Sequence, residues 1–164
     1  MRRAHAGAAI VAAVLIPAAA PAQQGARPQA SLRADAILAR ATAVQLGVGY
    51  ELPMGVYVRS GLTVAAGTTH VPGGDPRPSG RVDAVGRFLL DPFREFRWGP
   101  YGGAGVSALW DGRVAGRERW RGVVVLVLGV EGPATGTVRS SVELGLGGGT
   151  RVGVVLRRGG GDQR

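Results

Sequence analysis

Within eight segments between Ser31 and Arg157 all charged residues but one keep to one side of a two-residue alternation, and few backbone conformations permit that. Eight segments carry the pattern: Ser31–Arg40, Thr42–Leu52, Val56–Gly67, Gly80–Leu90, Trp98–Trp110, Trp120–Glu131, Thr137–Gly147 and Arg151–Arg157. Within them the odd-numbered positions hold Arg33, Arg59, Arg81, Arg87, Arg121, Arg139, Arg151 and Arg157, together with Asp35, Glu51, Asp83, Glu131 and Glu143. The even-numbered positions hold no charge except Arg40, at one segment's end. In Thr42–Leu52, for example, Val44, Leu46, Val48, Tyr50 and Leu52 oppose Gln45, Gly47, Gly49 and Glu51. A period of two places successive side chains on opposite faces of a strand, whereas a helix would scatter them around its axis. The 29 glycines disfavour helices independently.

Length and connections narrow the architecture. A chain of 164 residues suits a single domain. Most of the segments run roughly 9 to 13 residues, and a strand needs about 9–11 to cross a bilayer. Pro53-Met54, Asp91–Arg97 and Gly132–Gly136 form one set of connections. Thr68–Ser79 and Asp111–Arg119 are longer and more polar, with tight hairpins expected at Arg40–Thr42 and Gly147–Thr150. With both termini on one side, the two long loops fall on the opposite side, as in a barrel that spans a membrane. The expectation is an all-β, antiparallel up-and-down barrel of eight strands, transmembrane, over residues 31–158.

The first residues read as an address. Met1-Arg2-Arg3 is basic, Ala6–Ala20 is apolar, and Ala20-Pro21-Ala22 offers small residues to a signal peptidase. Residues 1–22 are therefore expected to be an export signal cleaved before Gln23. Residues 23–30 are expected to be a disordered leader, and 159–164 a flexible tail.

Composition excludes much chemistry. There is no Cys, and all 20 basic residues are Arg, so thiol nucleophiles, Schiff-base lysines and phosphate-loop lysines are absent. Beyond the signal the single histidine is His70, in a Gly/Pro-rich stretch where Ser79 and Asp75 make no preorganised triad. Asp75 lacks the further carboxylates of a calcium loop. Gly145–Gly149 (GLGGG) is followed by no helix and reads as hairpin geometry. No catalytic residue, cofactor or metal is expected, and the reading is non-enzymatic. The net charge of +9 would suggest nucleic acid in a cytosolic chain. Export and the even spacing of the arginines argue against that partner.

The charged face, turned inward, predicts a paired network of Glu51, Arg59, Arg81, Asp83, Arg87, Arg121, Glu131, Arg139 and Glu143. Glu51 with Arg59, and Asp83 with Arg81 or Arg87, are the expected partners. A side-chain-filled lumen held by ion pairs is favoured over a narrow ion path. Tyr50, Phe88, Trp98, Trp110 and Trp120 all lie on the even face near segment ends, where rings at a bilayer boundary would sit.

An export signal, eight alternating strands, short inner turns and longer outer loops together resemble the small eight-stranded outer-membrane β-barrels, the OmpA/OmpX-like group. FLLDPFREFRWGPYGGAG (Phe88–Gly105) also resembles a segment of small barrel proteins from GC-rich bacteria. The resemblance covers Ser31–Arg158. It implies a monomer in the outer membrane of a Gram-negative-type bacterium, with membrane lipid as partner and a structural or surface-interaction role. Arg113, Arg117 and Arg119 are candidates for lipopolysaccharide phosphates, although Asp111 and Glu118 beside them favour a solvated loop. The alternative is a soluble periplasmic barrel or sandwich with the apolar face turned inward around an apolar ligand.

Overall fold

The computed structural model describes residues 27–93, 95–114 and 117–159, so the expected signal segment lies outside the described residues. Eight strands follow one another: β1 (Gln29–Leu38), β2 (Thr42–Pro53), β3 (Val58–His70), β4 (Arg77–Leu89), β5 (Gly99–Val114), β6 (Arg117–Thr135), β7 (Val138–Leu146) and β8 (Thr150–Gly159). Each pairs antiparallel with the next in sequence. β8 pairs back onto β1, from Gln29↔Gly159 to Leu38↔Thr150, and closes the barrel. The described residues contain no helix. Closure pairs every strand on both sides, leaving an unpaired edge where β6 rises past β7 over Arg117–Val125, and this is what lets such a sheet stand without a second layer.

Parity decides which side of the wall each residue takes. Odd positions point in: Arg33, Asp35, Glu51, Arg81, Asp83, Glu143 and Arg157 are buried, with Ala65, Val85, Tyr101, Val125, Val127 and Val155 filling the space between them. Even positions point out, and Leu46 (65% exposed), Val124 (69%) and Leu128 (66%) show how little covers them. The interior is therefore charged and the exterior apolar. This corrects the alternative of a soluble barrel or sandwich with an apolar interior, because the face that would hold such a ligand points outward.

Inward glycines make room for the long side chains. A Cβ at Gly153 would run into the Asp35 carboxylate, one at Gly145 would lie on the Arg151 guanidinium, and one at Gly129 would enter the Tyr101 ring. At residues 147–149 the requirement is conformational: Gly147, Gly148 and Gly149 have φ of 146°, 74° and 148°, which L side chains rarely adopt.

Several boundaries differ from those read in the sequence. Gln29 and Ala30, assigned to the leader, and Gly159, assigned to the tail, belong to strands, because β1 and β8 are zipped together to their ends. The segments expected as long outer loops are largely strand: β3 continues to His70, β4 starts at Arg77, and β5 and β6 pair as far as Val114↔Arg117. The longest connection, residues 90–98, lies instead at the end that carries both termini. Alternation is weak in the polar stretches, so periodicity alone ended those strands too early.

Candidate functional site: the charged lumen

Two clusters of ion pairs occupy the interior, joined through Glu143. The cluster nearer the termini is built on Arg157, whose residue is 2% exposed. Its Nε donates to Glu51 Oε1 at 2.8 Å and its Nη2 to Glu143 Oε1 at 2.8 Å and Tyr101 Oη at 3.2 Å. Its Nη1 donates to Ser141 Oγ, and the guanidinium lies 5.2 Å from the Tyr101 ring centroid. Arg87 shares both acids, donating to Glu51 Oε1 at 3.1 Å and standing 3.3 Å from Glu143 Oε1. The Tyr101 hydroxyl donates to Glu143 Oε1 at 2.8 Å. Five strands contribute to this one knot, which ties the walls together across the lumen.

The second cluster is centred on two aspartates. Arg33 grips Asp35 with two bonds of 2.7 and 2.9 Å, and its Nη2 also donates to Glu143 Oε2 at 2.9 Å. Gly153 is the register partner of both Glu143 and Asp35, so no side chain stands between Arg33 and its distant acid. Arg81 donates to Asp83 and to Gln45 Oε1, each at 2.9 Å, and also to Asp35. Asp83 further accepts from Ser107 Oγ at 2.6 Å and from Arg151 Nη1 at 2.9 Å. The Nε and Nη2 of Arg151 are buried with no hydrogen-bond partner. Unpaired buried charge is expensive, and these contacts offset most of that cost.

A looser layer closes the mouth at the termini. Arg59 donates to Gln29 Oε1 at 3.1 Å and stands 3.7 Å from Glu131, while Arg139 stands 3.8 Å from the same acid. The space lined by Glu51, Arg59, Arg87, Tyr101, Glu131 and Arg157 leaves no water-sized cavity.

Of the nine residues read as a lumen network, eight face the interior. Arg121 does not: its side chain is 53% exposed and pairs with Asp111 at 3.0 Å. It stands on the part of β6 that has no β7 partner, since that pairing begins only at Leu126↔Leu146. Arg81 pairs with Asp83 as expected, but the second cation on Asp83 is Arg151, not Arg87. Glu51 is held by Arg87 and Arg157. Arg33, Asp35, Arg151 and Arg157 complete the network, and odd parity was the signal that marked them. Tyr101, Ser141, Ser107 and Gln45 carry no charge, so no charge pattern could reveal them.

Among the aromatic residues read as a girdle, Tyr50, Phe88, Trp98 and Trp120 are exposed on the outer face and Trp110 is half-buried. Trp110 and Trp120 are register partners at one end. At the other end Tyr57, which the sequence reading omitted, stacks on Phe88 at 5.7 Å and meets Phe93 edge-on at 6.1 Å. Asp91 orders that connection by accepting the backbone N–H groups of Glu95 and Phe96 at 3.0 and 2.9 Å.

No protein-family model matches the chain, and no curated protein sequence does. Among solved structures, the crystal structure of the N-terminal β-barrel domain of Pseudomonas aeruginosa OprF is similar. Its TM-score is 0.56 at 11% sequence identity, covering 79% of this chain and 96% of that one. The likeness is one of fold: an eight-stranded, OmpA-like barrel.

Proposed function

We propose that the chain is a non-enzymatic outer-membrane β-barrel, exported by its first residues, with a structural or surface-interaction role and a lumen shut by its own ion pairs. The single observation that carries this reading is the inversion of the wall. A closed barrel with Leu46, Val48, Leu62, Val106, Val124, Leu128, Val142 and Val154 all exposed has an exterior suited to lipid, not water. The likeness to the OprF barrel domain supports the same location, the outer membrane of a Gram-negative-type bacterium. Lipid is then the principal partner, and the barrel acts as a monomer. The packed interior favours a structural role over conduction.

The test is to compare boiled and unboiled samples of the outer-membrane fraction on a denaturing gel. A closed barrel resists detergent until heated, because every wall strand is paired on both sides. The reading expects a heat-dependent mobility shift in that fraction. Recovery in the soluble periplasm with no shift would overturn it.

Contact with lipopolysaccharide is a finer proposal. It rests on Arg113 and Arg117 standing in the last register pairs of the longest hairpin, Arg113↔Glu118 and Val114↔Arg117. Replacing Arg113, Arg117 and Arg119 with Gln should then raise sensitivity to chelators, and unchanged sensitivity would remove the proposal.

A further inference from the structure

Toward its ends the outward face also carries polar residues, Ser60, Thr68 and Ser140 among them, and one charge. Among strand residues with described side chains, Arg158 is the only charged residue at an outward, even-numbered position, and it is exposed. Beside it lies a cleft of about 270 Å³, lined chiefly by Ala30, Leu32, Val138, Leu156 and Arg158 itself. The cleft opens where β1 presents only the Ala30 methyl between larger neighbours. Ala30 is the register partner of both Arg158 on β8 and Tyr50 on β2, so the cation stands in the same cross-strand row as an exposed aromatic ring.

An arginine on a lipid-facing wall costs little at the membrane interface and much more toward the midplane. Arg158 stands one residue from the end of β8 and Ala30 one residue from the start of β1, at the barrel's rim and so at the interface, the level at which lipid phosphates lie. There a guanidinium matches a phosphodiester with two parallel N–H···O bonds, while the apolar cleft suits the first carbons of an acyl chain. A cation at the head of an apolar groove complements an amphiphilic anion better than it does a free ion.

We propose that this cleft is a binding site for one diacyl phospholipid of the leaflet at the termini end, with its phosphate on Arg158 and an acyl chain over Ala30, Leu32 and Leu156. The site deepens the membrane reading above and rests on it. A lipid held there would brace the seam where the first and last strands meet.

The experiment is native mass spectrometry of the folded full chain in dodecyl maltoside, titrated with palmitoyl-oleoyl phosphatidylglycerol. Diacylglycerol with the same chains and inorganic phosphate serve as controls. The expected result is a single retained phosphatidylglycerol and none of either control. Arg158→Gln should weaken retention about tenfold or more, as the loss of a charge-assisted hydrogen bond predicts. Ala30→Phe, which fills the cleft and keeps the charge, should weaken it too, whereas Leu46→Phe elsewhere on the wall should not. Equal retention by wild type, Arg158→Gln and Ala30→Phe, or adducts of no fixed number, would overturn the site. A heat-dependent gel shift on each sample separates the two readings. With the shift present and the adduct absent, only the lipid site fails; with the shift absent from wild type, the membrane reading fails first.

Discussion

Arg157 and Arg151 stand on the same strand, six residues apart, and both are buried, yet the lumen treats them differently. All three nitrogens of Arg157 donate to Glu51, Ser141, Tyr101 or Glu143. Arg151 has one hydrogen bond, from Nη1 to Asp83, and its other two nitrogens have none. The contrast belongs to the two arginines and not to the clusters as wholes. Near the termini Glu51 Oε2 and Arg87 Nε are also buried without a hydrogen-bond partner, and at the other end Arg33 and Arg81 each reach two acids. At the other end, Asp83 would remain paired with Arg81 and Ser107 if Arg151 were removed. Burial sets what a charge costs, and the number of satisfied atoms sets how much of that cost is offset.

Substitutions can break this contrast in order of effect. Glu143→Ala should be the most damaging, because it strips an acid from Arg33, Arg87 and Arg157 together. A loss of about 3–5 kcal/mol is expected in urea unfolding of the vesicle-inserted barrel followed by tryptophan fluorescence. A loss below about 1 kcal/mol would mean that the knot does not hold the walls. Arg151→Met keeps most of the side-chain volume and deletes two unpartnered nitrogens, so the same measurement should show a change within about 1 kcal/mol of zero. A loss as large as that of Glu143→Ala would show that Arg151 is held as firmly as the knot around Glu143. Arg121→Ala removes only an exposed pair with Asp111 and should change stability by less than about 1 kcal/mol, and less again in high salt. A larger effect would return Arg121 to the lumen network.

Most of the wall was legible in the sequence because alternation is a local property. Glu143 and Arg157 could be placed on one shared face from their parity alone, but which face turns inward could not, since an inverted soluble barrel carries the same alternation. Their meeting could not, since it depends on how far each strand slides past the next. The barrel brings residues 110 positions apart, such as Arg33 and Glu143, into contact across a glycine that no charge pattern marks. Arg121 shows the limit of parity from the other side. It shares the odd face, but β7 is too short to extend the wall to its level, and strand length in the polar segments was the least readable quantity. Arg158 escaped attention for the opposite reason, lying one residue beyond the segment whose alternation was counted.

The central claim is that the even-numbered face meets lipid, and because the chain has no cysteine, single cysteines can be introduced one at a time. The most direct measurement attaches nitroxide labels at Leu46, Val124 and Val154 on the even face and at Ala65, Val125 and Val155 on the odd face, in vesicle-inserted protein. Relaxation by oxygen, which concentrates in the bilayer, is then compared with relaxation by a water-soluble nickel chelate. The account predicts high oxygen and low nickel accessibility at the even positions, and low accessibility to both at the odd ones. Even positions relaxed by the nickel chelate, or an even face as inaccessible as the odd one, would contradict it.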